Sequence, residues 1–415
     1  MHVTILGGDI GGTNSRFQLF QVDLTDPTFA CPLSPGQRAP GDLILEKHYR
    51  NSNFASFPDI VKTFLNEANI RNPPSAACLA VAGPVKDNRV VITNRADWVI
   101  DGWILQERFK IPRVLIVNDF VALGYGLLTL NEEKECVQLH KAPKVAGGTK
   151  ASIGAGTGLG ECYLTAQAVA IDHSLLTGED KPHYEYHCYA SEGGHAEFAP
   201  RNDIEYGLLK FLRKKYSHEG SHNRISVERV VSGHGIPDIY EYLSLTFPEK
   251  VNKTLHDEIA AGGEIKAGVI ARHKDQNELC RQAMDIFLSH YGAEAGVACL
   301  KWIPLGGLYL TGGNTPKNIN EIRDPNGLFM DSLFDKGRLK SLVIQCPVFA
   351  VMVEDLGERG AHFAAFKELQ KVYGKHNQSY RSKSGSSTAW FSMLFVTAMA
   401  VGACVAEQLG FHASP

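Results

Sequence analysis

The sequence predicts an α/β protein whose two halves close on one ligand cleft. Apolar, β-branched runs alternate with amphipathic helical runs along the chain, which is the pattern of α/β architecture. Several of those runs stop at Gly, Asn or Asp, and ligands in such sheets gather outside the carboxyl ends of the strands. A glycine turn near the start, GGDIGGTN, is echoed in the middle by GAGTGLG, each inside a hairpin pattern. At 415 residues the chain is long enough for two domains.

The elements follow in order. HVTILGGDIGGTNSRFQLFQV reads as strand, glycine turn, strand. Thr25 to Asp42 is rich in Pro and Gly and reads as a surface loop. FPDIVKTFLNEAN sets Ile60, Phe64 and Leu65 at helical spacing, and SAACLAVAGPV is a strand entering a Gly-Pro turn. DGWILQERFKI is helical. RVLIVND is a short buried strand, and VALGYGLLTL begins a helix. ASIGAGTGLGECYL repeats the strand, glycine turn, strand arrangement. IEYGLLKFLRKKYSH is an amphipathic helix, and SVERVVSGHGIPDIYEYL reads as helix, glycine turn, helix. Gly262 to Leu300 is mostly helical. LGGLYLTGGNT is a strand ending in glycines, LVIQCPVFAVM is the last strand, and RGAHFAAFKELQKVY is the last helix of the folded body.

Composition excludes several classes. A formal net charge of −3 gives no basis for nucleic-acid binding or for a purely electrostatic membrane partner. The nine Cys form no CxxC pair and no Cys/His cluster at zinc spacing, so a reducing, cytoplasmic compartment is expected. The N-terminus lacks the basic and apolar regions of a secretory signal. After Lys375 a polar linker, 376–387, leads to a hydrophobic tail, 388–415, which opens with 19 uncharged residues from Thr388 to Ala406. That length reaches the threshold for a membrane span, and Arg381 and Lys383 lie on the side expected to face the cytosol. The tail therefore suits a C-terminal anchor. It equally suits a helix packed on the body or a partner, or an extension without fixed structure.

The chemistry is concentrated at the run ends. VLIVNDFVAL drives four apolar residues straight into Asn118 and Asp119, and a buried carboxylate without partners is very costly. Asp119 is therefore expected to face a cleft. Glycine turns let successive backbone N–H groups form an anion nest. In the first turn Thr13 and Asn14 can bond phosphate oxygens, and Asp9 could hold Mg²⁺ through water. The second turn supplies Gly154 to Gly160 with Thr157, and LTGGNT gives a third glycine-rich strand end. No Walker lysine is present, so neither turn is a P-loop. Asn118, Asp119, Glu192, His195 and Glu228 could together hydrogen-bond several hydroxyls of a polyol. Singly, Glu228 also reads as a solvated helix face, and His195 as a loop histidine.

Taken in this order, GGDIGGTNSR, VNDFVALGYG, GAGTGLG, SEGGHAEFAP, ERVVSGHG and LTGGN resemble the bacterial-type glucokinases, from about His2 to about Tyr373. The resemblance implies a two-domain ribonuclease-H-like (actin-like ATPase) fold with an interdomain cleft. On this reading a small domain spans 1–118 and is completed by the 360–375 helix, and a large domain spans 119–359. The reaction it implies is ATP-dependent phosphorylation of glucose to glucose 6-phosphate, with ATP and Mg²⁺. Asp119 would be the catalytic base, and Asn118, Glu192, His195 and Glu228 would be glucose ligands. Asp9, Gly11, Gly12, Thr13 and Asn14 would form the first phosphate segment and Gly156, Thr157 and Gly158 the second, with Gly312 and Gly313 at the adenosine. The family often forms dimers, so a homodimer is an open expectation. The zinc motif of the related repressor/kinase family is missing. Thr25–Asp42 and Gln167–His187 look longer than in typical members. An actin-like assembly protein would share the glycine turns without needing the hydroxyl-binding set. A non-catalytic sugar sensor would keep that set, and mannose or glucosamine differ from glucose only around C2.

Overall fold

β1 (His2–Ile10), β2 (Asn14–Asp23) and β3 (Asp42–Arg50) form an antiparallel meander, and β4 (Ala76–Val81) and β7 (Val114–Asn118) then add in parallel. The sheet order is β3-β2-β1-β4-β7, and a small hairpin of β5 (Arg89–Val91) and β6 (Val99–Asp101) stands apart. In this computed structural model, residues 1–26, 29, 33, 35–92, 98–169, 183–217 and 223–378 are described. The second sheet repeats the plan of the first. β9 (Lys150–Ala155), β10 (Leu159–Val169) and β11 (His183–Ser191) make the meander, β12 (Gly307–Thr311) and β13 (Val348–Val351) add in parallel, and β8 (Cys136–His140) closes the edge in the order β11-β10-β9-β12-β13-β8. The expected echo between the two glycine hairpins is thus an echo of whole sheets.

Each sheet has its own core. Phe17, Phe57 and Phe64 pack together under the first, joined by Trp98 and Ile116. The second is covered by the helix Glu278–Trp302, whose residues Leu279, Phe287, Tyr291 and Ala298 are buried. That helix starts where the Asn277 side chain accepts from the Cys280 N–H at 3.0 Å, an N-cap of the usual kind. The helices α1 (Phe57–Ala68) and α2 (Gly102–Phe109) stand where helical spacing placed them. All six residues of β4 and of β9 are buried; β4 is a continuous apolar run, and β9 is one of small or apolar residues after Lys150, whose buried Nζ donates to Tyr309 Oη at 2.9 Å.

Three expectations need correction. The strand through RVLIVND stops at Asn118, and Asp119 is the first residue of α3 (Asp119–Leu127). The cause is local: the Asn118 side chain caps the helix, its Oδ1 accepting the Phe120 N–H at 2.9 Å. SVERV forms only a 3-10 turn, Val227–Arg229, and the helix that follows is Gly235–Thr246. LVIQCPVFAVM is split: Lys340–Val343 is helical and the strand starts only at Val348. A short apolar run does not by itself distinguish strand from buried helix. The tail, residues 27, 28, 30–32 and 34 of the first long loop and 170–182 of the second fall outside the described residues. Among the described residues no helix is long and apolar enough to cross a membrane.

The element that positions the site is α3. Its Gly126 lies against the Leu356 carbonyl, and Gly360 of the final helix, Leu356–Gln378, lies against the Ala122 carbonyl, so a methyl group at either glycine would strike backbone. On another side Gly124 packs against the sulfurs of Cys162 and Cys188 on β10 and β11. The final helix lies on the first sheet, with His362 stacked on Phe20 at 3.6 Å between ring centroids and Arg113 paired with Glu368 at 2.5 Å. The helix is thereby held by neighbours from both halves.

Candidate active site

A cleft of about 450 Å³ opens between the ends of the two sheets. The first contributes Gly12, the Ala82–Pro84 turn after β4, and Asn118, Asp119 and Phe120. The second contributes Gly154, Gly156 to Gly160, Ser191, Glu192, His195, Glu228 and Gly312. Such a volume suits a small ligand held in a largely pre-formed site. All five residues expected to bind hydroxyls therefore line one cavity, together with the second glycine turn. Of the first segment only Gly12 reaches the lining, and Asp9, Gly11, Thr13 and Asn14 do not; at the third strand end Gly312 lines it and Gly313 does not.

Asp119 stands at the start of α3. Its Oδ1 accepts the Phe120 N–H at 2.9 Å, which favours the carboxylate. Burial works against the charge, and the negative charges of Asp9 and Glu192 add to it; the net result raises its pKa to about 6. Asp9 lies at the end of β1, paired with Arg16 on β2 and Ala80 on β4. Its own pKa is raised by burial, with the Arg16 charge pulling the other way. Asn118 is fixed at both ends of its amide, accepting from Phe120 and donating to the Gly83 carbonyl at 3.2 Å.

The loop after β11 carries the next two groups. Glu192 precedes a 3-10 turn, Gly193–His195, and His195 Nε2 stands 3.8 Å from Glu192 Oε2 while His195 Nδ1 stands 4.0 Å from Glu228 Oε1. The Glu192 and His195 side chains are 66% and 55% exposed, so both are open to a ligand. Glu228 is more enclosed, and its Oε2 accepts the Leu159 N–H at 2.9 Å. That bond ties the Glu228 carboxylate to the glycine turn. Gly158 is bare for the same reason, since a Cβ there would come 2.5 Å from Glu228 Oε2.

The two turns are braced from behind. Asn51 Nδ2 donates to the carbonyls of Gly11 at 2.8 Å and Gly12 at 3.1 Å, and its Oδ1 accepts from Ser15 Oγ at 2.7 Å. In the second turn the Gly156 carbonyl accepts from Gly233 N at 2.8 Å and Asn314 Nδ2 at 2.9 Å. Both braces occupy carbonyls, which fixes each turn before any ligand arrives. Phe120 lies over Gly154 and Gly160, and a methyl group on Gly160 would overlap its ring. Sequence reasoning passed over Asn51, Asn314 and Phe120. Asn314 sat in LTGGNT and Phe120 in VNDFVALGYG, where the neighbouring glycines and Asp119 drew the attention; a lone Asn after an unread strand carries no periodic signal.

Comparison with known proteins agrees with this geometry. The Glucokinase family profile matches residues 6–368. A Glucokinase of Synechocystis sp. is 39% identical over 380 residues, covering 88% of this chain and 98% of that protein. A Glucokinase of Nostoc sp. is 34% identical over 379 residues, covering 87% and 98%. Among solved structures, glucokinase from Balamuthia mandrillaris in complex with glucose superposes with a TM-score of 0.64 at 18% identity, covering 88% of this chain and 94% of that one. At that identity the likeness speaks for the fold, the two-lobed actin-like ATPase architecture. Family profile, relatives and fold agree over nearly the whole folded body, and this chain belongs to the glucokinase family.

Proposed function

We propose that the protein transfers the γ-phosphoryl group of ATP to the 6-hydroxyl of glucose, with Asp119 as general base. One observation carries the reading: Asn118, Asp119, Glu192, His195 and Glu228 share one cleft with Gly12 and Gly156–Gly158. A nucleotide assembly protein would have no use for the hydroxyl-binding half of that set. Membership of the glucokinase family and the fold shared with a glucose-bound relative support the same reading. We further propose that 1–118 and 119–359 are the two lobes, with the 360–375 helix completing the first.

Phosphoryl transfer depends on positioning and charge neutralisation more than on covalent help. Asn118, Glu192, His195 and Glu228 would bind the sugar hydroxyls so that the 6-hydroxyl faces Asp119. An ionised Asp119 accepts that proton as the new O–P bond forms, a contribution of typically ~10²–10⁴-fold. A pKa of about 6 suits the task, because the base is ionised at neutral pH yet retains appreciable proton affinity. The N–H groups of the two glycine turns would cradle the phosphates, and Gly312 and Gly313 would lie beside the adenosine. Mg²⁺ is bound through one or two carboxylates with water and phosphate making up the rest. Asp9 fits that role: it is a largely buried carboxylate close enough to raise the pKa of Asp119, and no group of three metal-ligating side chains occurs among the described residues. The ion would supply charge neutralisation on the phosphates. The test is a coupled assay of the purified protein with Mg-ATP and a hexose panel. Glucose-dependent formation of ADP and glucose 6-phosphate is expected; ADP release indifferent to sugar would refute the reading.

A further inference from the structure

Glu161 is the most anomalous side chain near the cleft. It lies on β10 with no solvent exposure, and neither carboxyl oxygen has a hydrogen-bond donor among the described N–H and O–H groups. Its neighbour is a second carboxyl group: Glu294 on the long helix lies within hydrogen-bonding reach. Lys301 Nζ stands 3.2 Å from Glu294 Oε1 and 4.0 Å from Glu161 Oε2. Two carboxyl groups can bond each other only when one keeps a proton. One proton, two carboxyls and one ammonium make a cluster without net charge. Removing the proton leaves an uncompensated negative charge in a buried place, which is strongly unfavourable. Lys336 and His290 are the other charged or titratable groups facing Glu294, and neither bonds Glu161.

Directly above this pair lies the loop that carries Glu192 and His195. Gly193 rests on the Glu161 carboxyl group, where a methyl group would overlap it, and Gly194 rests on the Leu159 carbonyl. The Gly193 N–H is turned aside to Ser191 Oγ at 3.1 Å. This is why two glycines separate Glu192 from His195. The loop has no side-chain padding between it and β10, so a shift of Glu161 is a shift of the loop.

We propose that the Glu161–Glu294 carboxyl pair is the seat of the hexose-binding loop, holding Glu192 and His195 in register only while the pair shares a proton. The proposal rests on the reading of this cleft as a hexose site, and it makes Glu161 a positioning residue. Burial, then the Glu294 charge, raises the pKa of Glu161 to about 7 against the pull of Lys301. The switch therefore falls within the neutral range. If only the protonated form presents the loop, apparent affinity scales with its population, and the Kd for glucose rises by up to ~25-fold from pH 6.5 to 8.5.

The experiment is titration calorimetry of the full chain with glucose at those two pH values, alongside kcat at saturating glucose. Wild type should show the rise in Kd with kcat nearly unchanged. Glu161→Gln keeps an amide that donates to Glu294 and cannot ionise, so its Kd should vary less than about two-fold; Glu294→Gln should flatten the profile likewise. A flat wild-type Kd, or variants that keep the wild-type rise, would overturn the proposal. Should wild type neither bind nor phosphorylate glucose at pH 6.5, the hexose reading itself has failed. The pair is then judged by melting temperature: its fall from pH 6.5 to 8.5 must disappear in Glu161→Gln, and a persisting fall overturns the pair as well.

Discussion

Asp119→Asn tests the site from two sides, because the residue proposed as the general base is held at a cost to the fold. Burial and the charges of Asp9 and Glu192 raise its pKa from 3.8 to about 6. A carboxyl whose folded pKa lies above its unfolded value stabilises the protein fully below the unfolded pKa, and that stability is lost as pH rises through the folded pKa. Above about pH 6 the ionised carboxylate therefore destabilises the fold, by at most about 3 kcal/mol, or nearer 2 kcal/mol once solvent at the cleft mouth screens it. An amide of the same shape never ionises and avoids the penalty. For a folded unit of 372 residues the gain at pH 7 corresponds to a rise of roughly 2–3 °C in Tm. It should vanish near pH 4. Turnover should fall by ~10² or more, because the amide cannot accept the hydroxyl proton. Differential scanning fluorimetry at pH 4 and pH 7, with the coupled assay at pH 7, measures both. A variant with turnover within a few-fold of wild type, or one less stable at pH 7, would refute the assignment of Asp119 as a strained base.

The same shift sets the acid limb of the wild-type profile: kcat/KM should fall about ten-fold from pH 7 to pH 5, as an apparent pKa of about 6 dictates, and an inflection near 4 would contradict the burial argument. Asn51→Ala removes both bonds to the Gly11 and Gly12 carbonyls; the KM for ATP should rise about ten-fold with glucose Kd unchanged, and an unchanged ATP KM would mean that the turn needs no brace. Glu228→Gln weakens a charge-assisted bond to Leu159 and a hydroxyl acceptor together; glucose Kd should rise ~10–100-fold by calorimetry, and a Kd within two-fold of wild type would remove Glu228 from the sugar site. Gly160→Ala drives a methyl group into the Phe120 ring; urea unfolding should show a loss of about 1–3 kcal/mol, and full stability would show that Phe120 has room to move.

What could be read from the sequence divides along physical lines. β4 is legible because a strand buried on both faces reads as a continuous apolar run, and β9 because small or apolar residues run unbroken from Ala151 to its glycine turn save for Ser152. Asp119 is legible because a carboxylate at the end of such a run is too costly to be accidental. Asn118 was seen as a polar neighbour, but its capping role decides the boundary, and a cap is a matter of side-chain geometry. β3 was hidden behind a Pro- and Gly-rich loop, and its burial pattern, mostly exposed with three half-buried positions, gives little apolar signal. Glu161 was in plain view inside ECYL, but a charged residue in a strand signals burial only when its opposite face is known. Glu192 and Glu228 look alike in sequence; one is open to solvent and the other is locked to Leu159, a distinction that arises only from tertiary contact.

The crossing of α3 with the final helix has a mechanical meaning. Two helices that meet backbone on backbone can turn about the point of contact, but sliding would force a carbonyl through a Cα. Gly126 and Gly360 make the crossing a fulcrum, with the helix that begins at Asp119 as one lever arm. Any opening or shutting of the molecule about this point swings the Asp119 carboxylate through an arc of fixed radius, and its distance from the pivot stays constant while the jaws travel.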